Sequence, residues 1–391
     1  MTALGLTWDH PRGVDALAEA ARRANRGRAT PLIEWVAQPL EGFESAPIAD
    51  LAARHDLLVI DHPHVGEAAA EACLIPIDAL YPAAQIAEWA RRSVGPSLAS
   101  YRWQGNLWAL PLDVAAQVTA RRSEALSAPA ASWDEVEEIA ARRPVALSLA
   151  GPHALLTLFS LCGSAGHVPG GDALLDDVAT VAALERMARL HAAQSAAARP
   201  MNPIALLQAM AAGELDLVPL VFGYVPYARP GPGRIAFSDP PGSACPDASG
   251  GVLGGTGIAF SRRSTPSPDV LAHVASLMTE QAQRRLLPAF SGQPSARAAW
   301  TDPSVNLRAG EFYASTLAST EKALLRPRFD GYVAFQTAAS HRVRAALAAR
   351  EDPVVTLSAL RTLWRDARAR ARGALDERRT EAPDLTARKI S

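Results

Sequence analysis

ALGLTWDHPRGVDALAEAARRA, residues 3–24, decides how the chain is read. Ala3 to Trp8 make a short apolar run with the character of a strand. Val14, Leu17, Ala18 and Ala21 then recur on one face of a helix. Between the two lies a rigid polar corner, Asp9-His10-Pro11. The same tripeptide returns as Asp61-His62-Pro63 after a second apolar run, DLLVI (56–60). With LIEWV (32–36) and the helical LAARH (51–55) between them, the first sixty residues alternate β, α, β, α, β. That order predicts a parallel sheet with helices on its faces, an α/β fold.

Open parallel sheets bind ligands beyond the carboxyl ends of their strands, and both corners are placed there. Pro11 near the first helical position costs no hydrogen bond, and the amides of Arg12, Gly13 and Val14 are free to meet an acceptor. With the planar Arg12 guanidinium added, the corner is expected to take an anionic group. The competing role for Arg12 is a solvated first turn. His10 and His62 are expected to face one cleft from adjacent strand ends, with Asp9 and Asp61 as scaffolding. Each imidazole could instead cap nearby backbone. A metal site from Asp9, His10, Asp61, His62 and His64 is disfavoured, because His62 and His64 alternate in an extended segment and would point apart.

Bulk properties narrow the function classes. At 391 residues and about 150 per domain, two domains are expected. A net charge of -1 gives no basic field for nucleic acid. Lys322 and Lys389 are the only lysines, so Schiff-base chemistry has few candidates. Cys73, Cys162 and Cys245 fit no metal or redox spacing and read as free thiols. No apolar run approaches the roughly 18 residues that span a bilayer. The approach to the first Asp-His-Pro has no secretory-signal pattern. The expectation is a cytoplasmic protein, or a periplasmic one if a signal has been removed.

Further along, YRWQGNLWALPLD (101–113) reads as a hairpin turning at Gly105 and Asn106, and VAAQVTARR (114–122) continues it as a strand. GEAAAEACLIPIDAL (66–80) reads as a helix ending before Pro76. SWDEVEEIAARR (132–143) is a helix with an N-cap serine. VALSLA (145–150) reads as a strand and HALLTLFSLCGSAG (153–166) as a buried helix. VATVAALERMARLHAAQSA (178–196) is a long helix, and IALLQAMAAGELDLVPLVFGY (204–224) a helix, turn and strand. Residues 226–257 are loop-rich, GIAFS (257–261) is a strand, and the remainder is mostly helical. Gly250, Gly251, Gly254, Gly255 and Gly257 precede a strand, so they form neither a dinucleotide fingerprint nor a P-loop, and no cofactor is expected.

The order of these features resembles the family 1 extracellular solute-binding proteins, the sugar-binding type that serves ABC transporters. The resemblance rests on five segments spread along most of the chain: YRWQGNLWALPLDVAAQVTARRSEAL (101–126), SWDEV (132–136), ALLQAMAAGELDLVPLVFGY (205–224), GGVLGGTGIAFSRRS (250–264) and LMTEQAQRRLLPAFSGQPSARAAWTD (277–302). It implies a two-lobe, type II periplasmic-binding-protein-like α/β fold whose lobes close on a ligand by a hinge. Lobe 1 would hold residues 1–112 and 259–303, and lobe 2 residues 113–258 and 304–391. Two departures stand out: the basic pair His10 and Arg12 after the first strand, and the missing signal.

The candidate ligand-binding residues are Trp8, Asp9, His10, Arg12, Gly13, His62, Trp108, Asp113, Tyr224, Gly251, Gly254, Ser291, Gln293 and Ser295. Trp8, Trp108, Tyr224 and Tyr227 offer stacking faces, with core packing as the competing account. Asp113 is placed to accept hydrogen bonds from ligand hydroxyls. Gly251 and Gly254 offer close backbone approach or hinge freedom. Ser291, Gln293 and Ser295 lie in the segment that resembles the family's ligand loop. The sequence carries neither G-x-S-x-G nor H-E-x-x-H. The expected function is non-enzymatic capture of a small polar, anionic ligand, with a permease as partner if the protein is exported. Two alternatives stay open: a cytoplasmic sensor or carrier of a phosphorylated or coenzyme-A-linked metabolite, and a hydrolase using Asp9, His10 and His62.

Overall fold

The computed structural model describes residues 2–242 and 250–381; Cys245 and Lys389 lie outside them. Ten strands are present among the described residues: β1 (Ala3–Trp8), β2 (Ile33–Gln38), β3 (Leu57–Ile60), β4 (Leu74–Ile75), β5 (Arg102–Trp103), β6 (Asn106–Leu107), β7 (Leu110–Arg122), β8 (Leu217–Phe222), β9 (Ile235–Ser238) and β10 (Leu253–Ser261). β1 pairs in parallel with β2 and β3, as the βαβαβ reading predicts. The connecting helix α1 (Pro11–Asn25) buries Ala16, Leu17, Ala20 and Ala21 against this sheet. Full burial of a side chain such as Leu17 contributes about 2 kcal/mol.

β7 and β10 tie the molecule's two halves together. The first half of β7, Leu110–Ala116, runs antiparallel to β10, whose far end pairs with β3. The second half, Gln117–Arg122, leaves that sheet to pair with β8 and β9. One thirteen-residue strand therefore belongs to both lobes. A separate core lies beyond the second sheet, built on Trp133, Phe159, Met187, Leu220, Phe335 and Trp364.

Several expected elements take a different form. The 66–80 segment is a short helix, Val65–Ala70, followed by β4, which adds to the sheet beside β10. His62 to His64 form a single 3₁₀ turn with both imidazoles buried, not an extended segment. The hairpin turns at Gln104 and Gly105, both at positive φ (49° and 84°), one residue earlier than expected, because Trp103 pairs with Asn106. Residues 145–150 make one bridge, Val145 to Leu217, rather than a strand. The reason is a side chain: the Gln194 amide accepts from Leu147 N (3.1 Å) and donates to Leu147 O (3.3 Å), supplying what a neighbouring strand would.

Candidate ligand cleft

The exit of β1 gathers Trp8, His10 and Arg12 onto Tyr224, which follows β8 in the other lobe. Trp8 and His10 stack at 5.2 Å, and both meet the Tyr224 ring edge-on. Gly13 is required by this packing, since a Cβ there would lie 2.5 Å from Trp8 Nε1. Asp9 is exposed. His10 caps α1, its Nδ1 accepting from Arg12 N at 3.1 Å. Burial and the neighbouring Arg12 charge lower its pKa to about 4, so the ring is neutral at pH 7.

Arg12 is the centre of the cluster and is 5% exposed. Its guanidinium grips the Asp113 carboxylate through Nε (2.9 and 3.0 Å) and Nη2. Nη1 donates to Gly223 O at 3.2 Å, and the group lies 4.7 Å from the Tyr224 ring centroid. The pair raises the Arg12 pKa further against the opposing effect of burial. This overturns the expected anion site: Arg12 already carries its counter-charge, and the α1 amide of Arg12 is satisfied by His10. Asp113 is likewise committed, accepting from Gln293 N at 2.9 Å as well.

The second corner does different work. Asp61 accepts from His62 N (2.8 Å) and holds Arg326 through two bonds of 2.6 and 2.5 Å. His62 is 1% exposed, and its Nε2 accepts from Arg326 N at 3.3 Å. Burial, then the Arg326 charge, lowers its pKa to about 4. His10 and His62 therefore do not face one ligand as matching corners. The first caps a helix at the cleft, and the second anchors the segment around Arg326.

Of the remaining candidates, Gly254 lines the cavity between the lobes, and the others are occupied by the fold. Trp108 packs in the core and donates from Nε1 to Trp103 O at 3.1 Å. The Gln293 amide donates to Val114 O (2.8 Å) and accepts from Val225 N (2.9 Å), clamping β7 to the segment after β8. Ser291, at φ 65°, is buried, and Ser295 donates through N (2.8 Å) and Oγ (3.3 Å) to Gln283 Oε1. A Cβ on Gly251 would lie 1.9 Å from Gln117 O, and one on Gly254 2.5 Å from the Phe222 ring. These glycines let backbone and ring close on β10.

A cavity of about 40 Å³ lies where the two lobes meet, lined by Trp8, Arg12, Phe43, Glu44, Phe222 and Tyr224 among others. Glu44 reaches across to His153 of the facing lobe, Oε1 to Nε2 3.3 Å, without the alignment of a hydrogen bond. Phe43, Glu44, Phe222 and His153 are absent from the sequence-derived set. Phe43 and Glu44 were legible in principle, because the helix Leu40–Ser45 begins just after β2, a third strand exit. A larger cavity, about 580 Å³, lies at the opposite strand ends beside Ala3, Leu57 and Arg263. Strand polarity favours the smaller one. At about 40 Å³ it is well below the roughly 300 Å³ at which small-molecule pockets begin.

No protein-family model and no curated protein matches the chain by sequence. Solved structures do match in shape. Maltose-bound MalE3 of T. maritima is 17% identical, with 92% of this chain and 98% of that one aligned at a TM-score of 0.77. An ABC-transporter solute-binding protein of Agrobacterium radiobacter K84, in complex with ribitol, is 17% identical over 93% and 97% of the two chains, at 0.76. The GacH receptor of Streptomyces glaucescens, solved unliganded and with acarbose, is 17% identical over 94% and 98%, at 0.76. Nearly the whole length of each structure is matched, and the chain has the two-lobe α/β fold of solute-binding proteins.

Proposed function

We propose that the protein is a non-enzymatic solute-binding protein that captures a small polyhydroxylated molecule between its lobes and delivers it to an ABC permease. One observation carries this reading: the interlobe cavity is lined from both sides by Trp8, Phe43, Phe222 and Tyr224, with Glu44 among them. Aromatic faces beside a carboxylate suit the alternating C–H faces and hydroxyl edges of sugars and polyols. The named ligands of the structural relatives, maltose, ribitol and acarbose, support the same class. The commitment of Arg12 to Asp113 removes the reason to expect an anion. Asp9, His10 and His62 also do not converge on a shared substrate position, which weighs against the hydrolase reading.

Native mass spectrometry of freshly purified protein, followed by calorimetry with neutral sugars and polyols, tests the proposal. The expected result is a bound polyhydroxylated compound or saturable one-to-one binding without turnover. Chemical conversion of the bound compound, or no binding across the set, would overturn it. Fractionation of native cells separates delivery to a permease from sensing in the cytoplasm.

A further inference from the structure

The cleft has one carboxylate that stands apart from the others. Of its ionised side chains, Arg12 is matched by Asp113 and Asp61 by Arg326. Glu44 has no arginine or lysine partner among the described residues; at ion-pair distance it meets His153 Nε2, at 3.3 Å.

His153 itself is incomplete. It stands at the start of the twelve-residue helix His153–Ser164, is 2% exposed, and neither ring nitrogen makes a hydrogen bond. A buried imidazole without partners costs free energy, and a polar ligand group beside Glu44 would supply one. The surroundings are aromatic: the Phe222 ring lies 5.7 Å from His153, and Phe43 packs 5.9 Å from Trp8. Glu44 Oε2 also lies 3.5 Å from where a Cβ on Gly151 would sit, so a small residue leaves room beside the carboxylate.

Resting on the polyol-binding reading, we infer that the cleft prefers a polyhydroxylated ligand that carries an amine, with its ammonium seated on the Glu44 carboxylate, beside His153, once the 3.3 Å contact between the two side chains opens. An ionised carboxylate can only accept hydrogen bonds and an ammonium can only donate them, so the two are complementary. Aromatic faces add attraction for a cation, and a desolvated carboxylate strengthens it. A ligand carboxylate in the same place would face Glu44 directly and be repelled.

Three panels matched in shape test this by calorimetry at pH 7: neutral hexoses, hexitols and maltose; the corresponding 2-amino compounds; and the corresponding uronic acids. The amine members are expected to bind at least tenfold more tightly than their neutral counterparts, and the acids more weakly than either. In Glu44→Gln, the amine-to-neutral affinity ratio should fall to about one. The melting temperature of the unliganded variant checks that it is folded. Raising the salt concentration should shrink the same ratio in the wild type. Equal or tighter binding of the neutral members, or a ratio unchanged in Glu44→Gln, would overturn the inference while leaving the proposed function standing. Silence across all three panels would overturn both.

Discussion

At the residue scale, Arg12 shows how one side chain can be found by sequence and assigned the wrong role. Its position after a strand and at a helix start was legible. Its partner was not, because Asp113 lies 101 residues away and nothing local marks a buried ion pair. The pair predicts its own mutational signature. Asp113→Ala leaves the Arg12 charge buried and unmatched, and should lower the unfolding free energy by about 3–5 kcal/mol. The double variant Arg12→Met, Asp113→Leu should recover most of that loss, since apolar groups of similar size leave no orphan charge. Urea unfolding of the three proteins measures both effects. A double variant as unstable as the single one would show that the pair is not acting as a neutralised unit.

Histidine titration gives a second residue-scale expectation. His62 has a folded pKa of about 4 against an ordinary value of 6.5, and His10 is shifted the same way. Between those values the unfolded chain binds more protons than the folded one. Their contribution is therefore complete above pH 6.5 and is lost as the pH falls toward 4. For His62 alone the loss is at most about 3 kcal/mol. Urea midpoints at pH 7, 5 and 4 should fall in that order, and His62→Asn should flatten the slope. A wild-type midpoint that is level across this range would contradict the buried neutral imidazoles.

At the element scale, the strands and helices with strong local patterning were readable, and those completed by distant groups were not. β1, β2, β3 and α1 follow from alternation and helical spacing. The 145–150 segment has strand composition, but the Gln194 side chain takes the place of a partner strand. The hairpin slipped by one residue because Gln104, at φ 49°, does the turning that Asn106 was expected to share. Gly254, Gly255 and Gly257, expected to precede a strand, lie within β10. Their use depends on β7, which the local sequence does not reveal. Gly255 combines φ 103° with a Cβ position 2.3 Å from Asp113 O. Gly255→Val should cost more than 2 kcal/mol, through positive-φ strain and a backbone clash where β10 crosses β7. Gly373, with open space around it, is the matched control, and Gly373→Ala should stabilise its helix by up to about 1 kcal/mol. Thermal unfolding of both variants decides this, and a Gly255→Val protein as stable as wild type would mean that β10 shifts without cost.

At the scale of the whole molecule, the closed arrangement depends on contacts that cross the cleft. Arg12 donates to Gly223 O, and its guanidinium faces the Tyr224 ring, while its partner Asp113 lies on the crossover strand. If the proposed lobe opening occurs, it is expected to break the Gly223 and Tyr224 contacts and keep the Arg12–Asp113 pair. Removing the Tyr224 ring should shift the molecule toward the open form by the value of a partly desolvated cation–π contact, about 1–2 kcal/mol. A ligand that binds the closed state then loses apparent affinity by the fraction of closed molecules lost, at most a factor of about 5–30. Small-angle scattering of unliganded Tyr224→Ala should show a larger radius of gyration than wild type, with saturating ligand restoring the compact value. Tyr224 also lines the cavity, so weaker binding alone cannot separate a lost ligand contact from a shifted hinge. A scattering profile identical to wild type, despite weaker binding, would assign Tyr224 to the ligand and leave closure to Glu44 and His153.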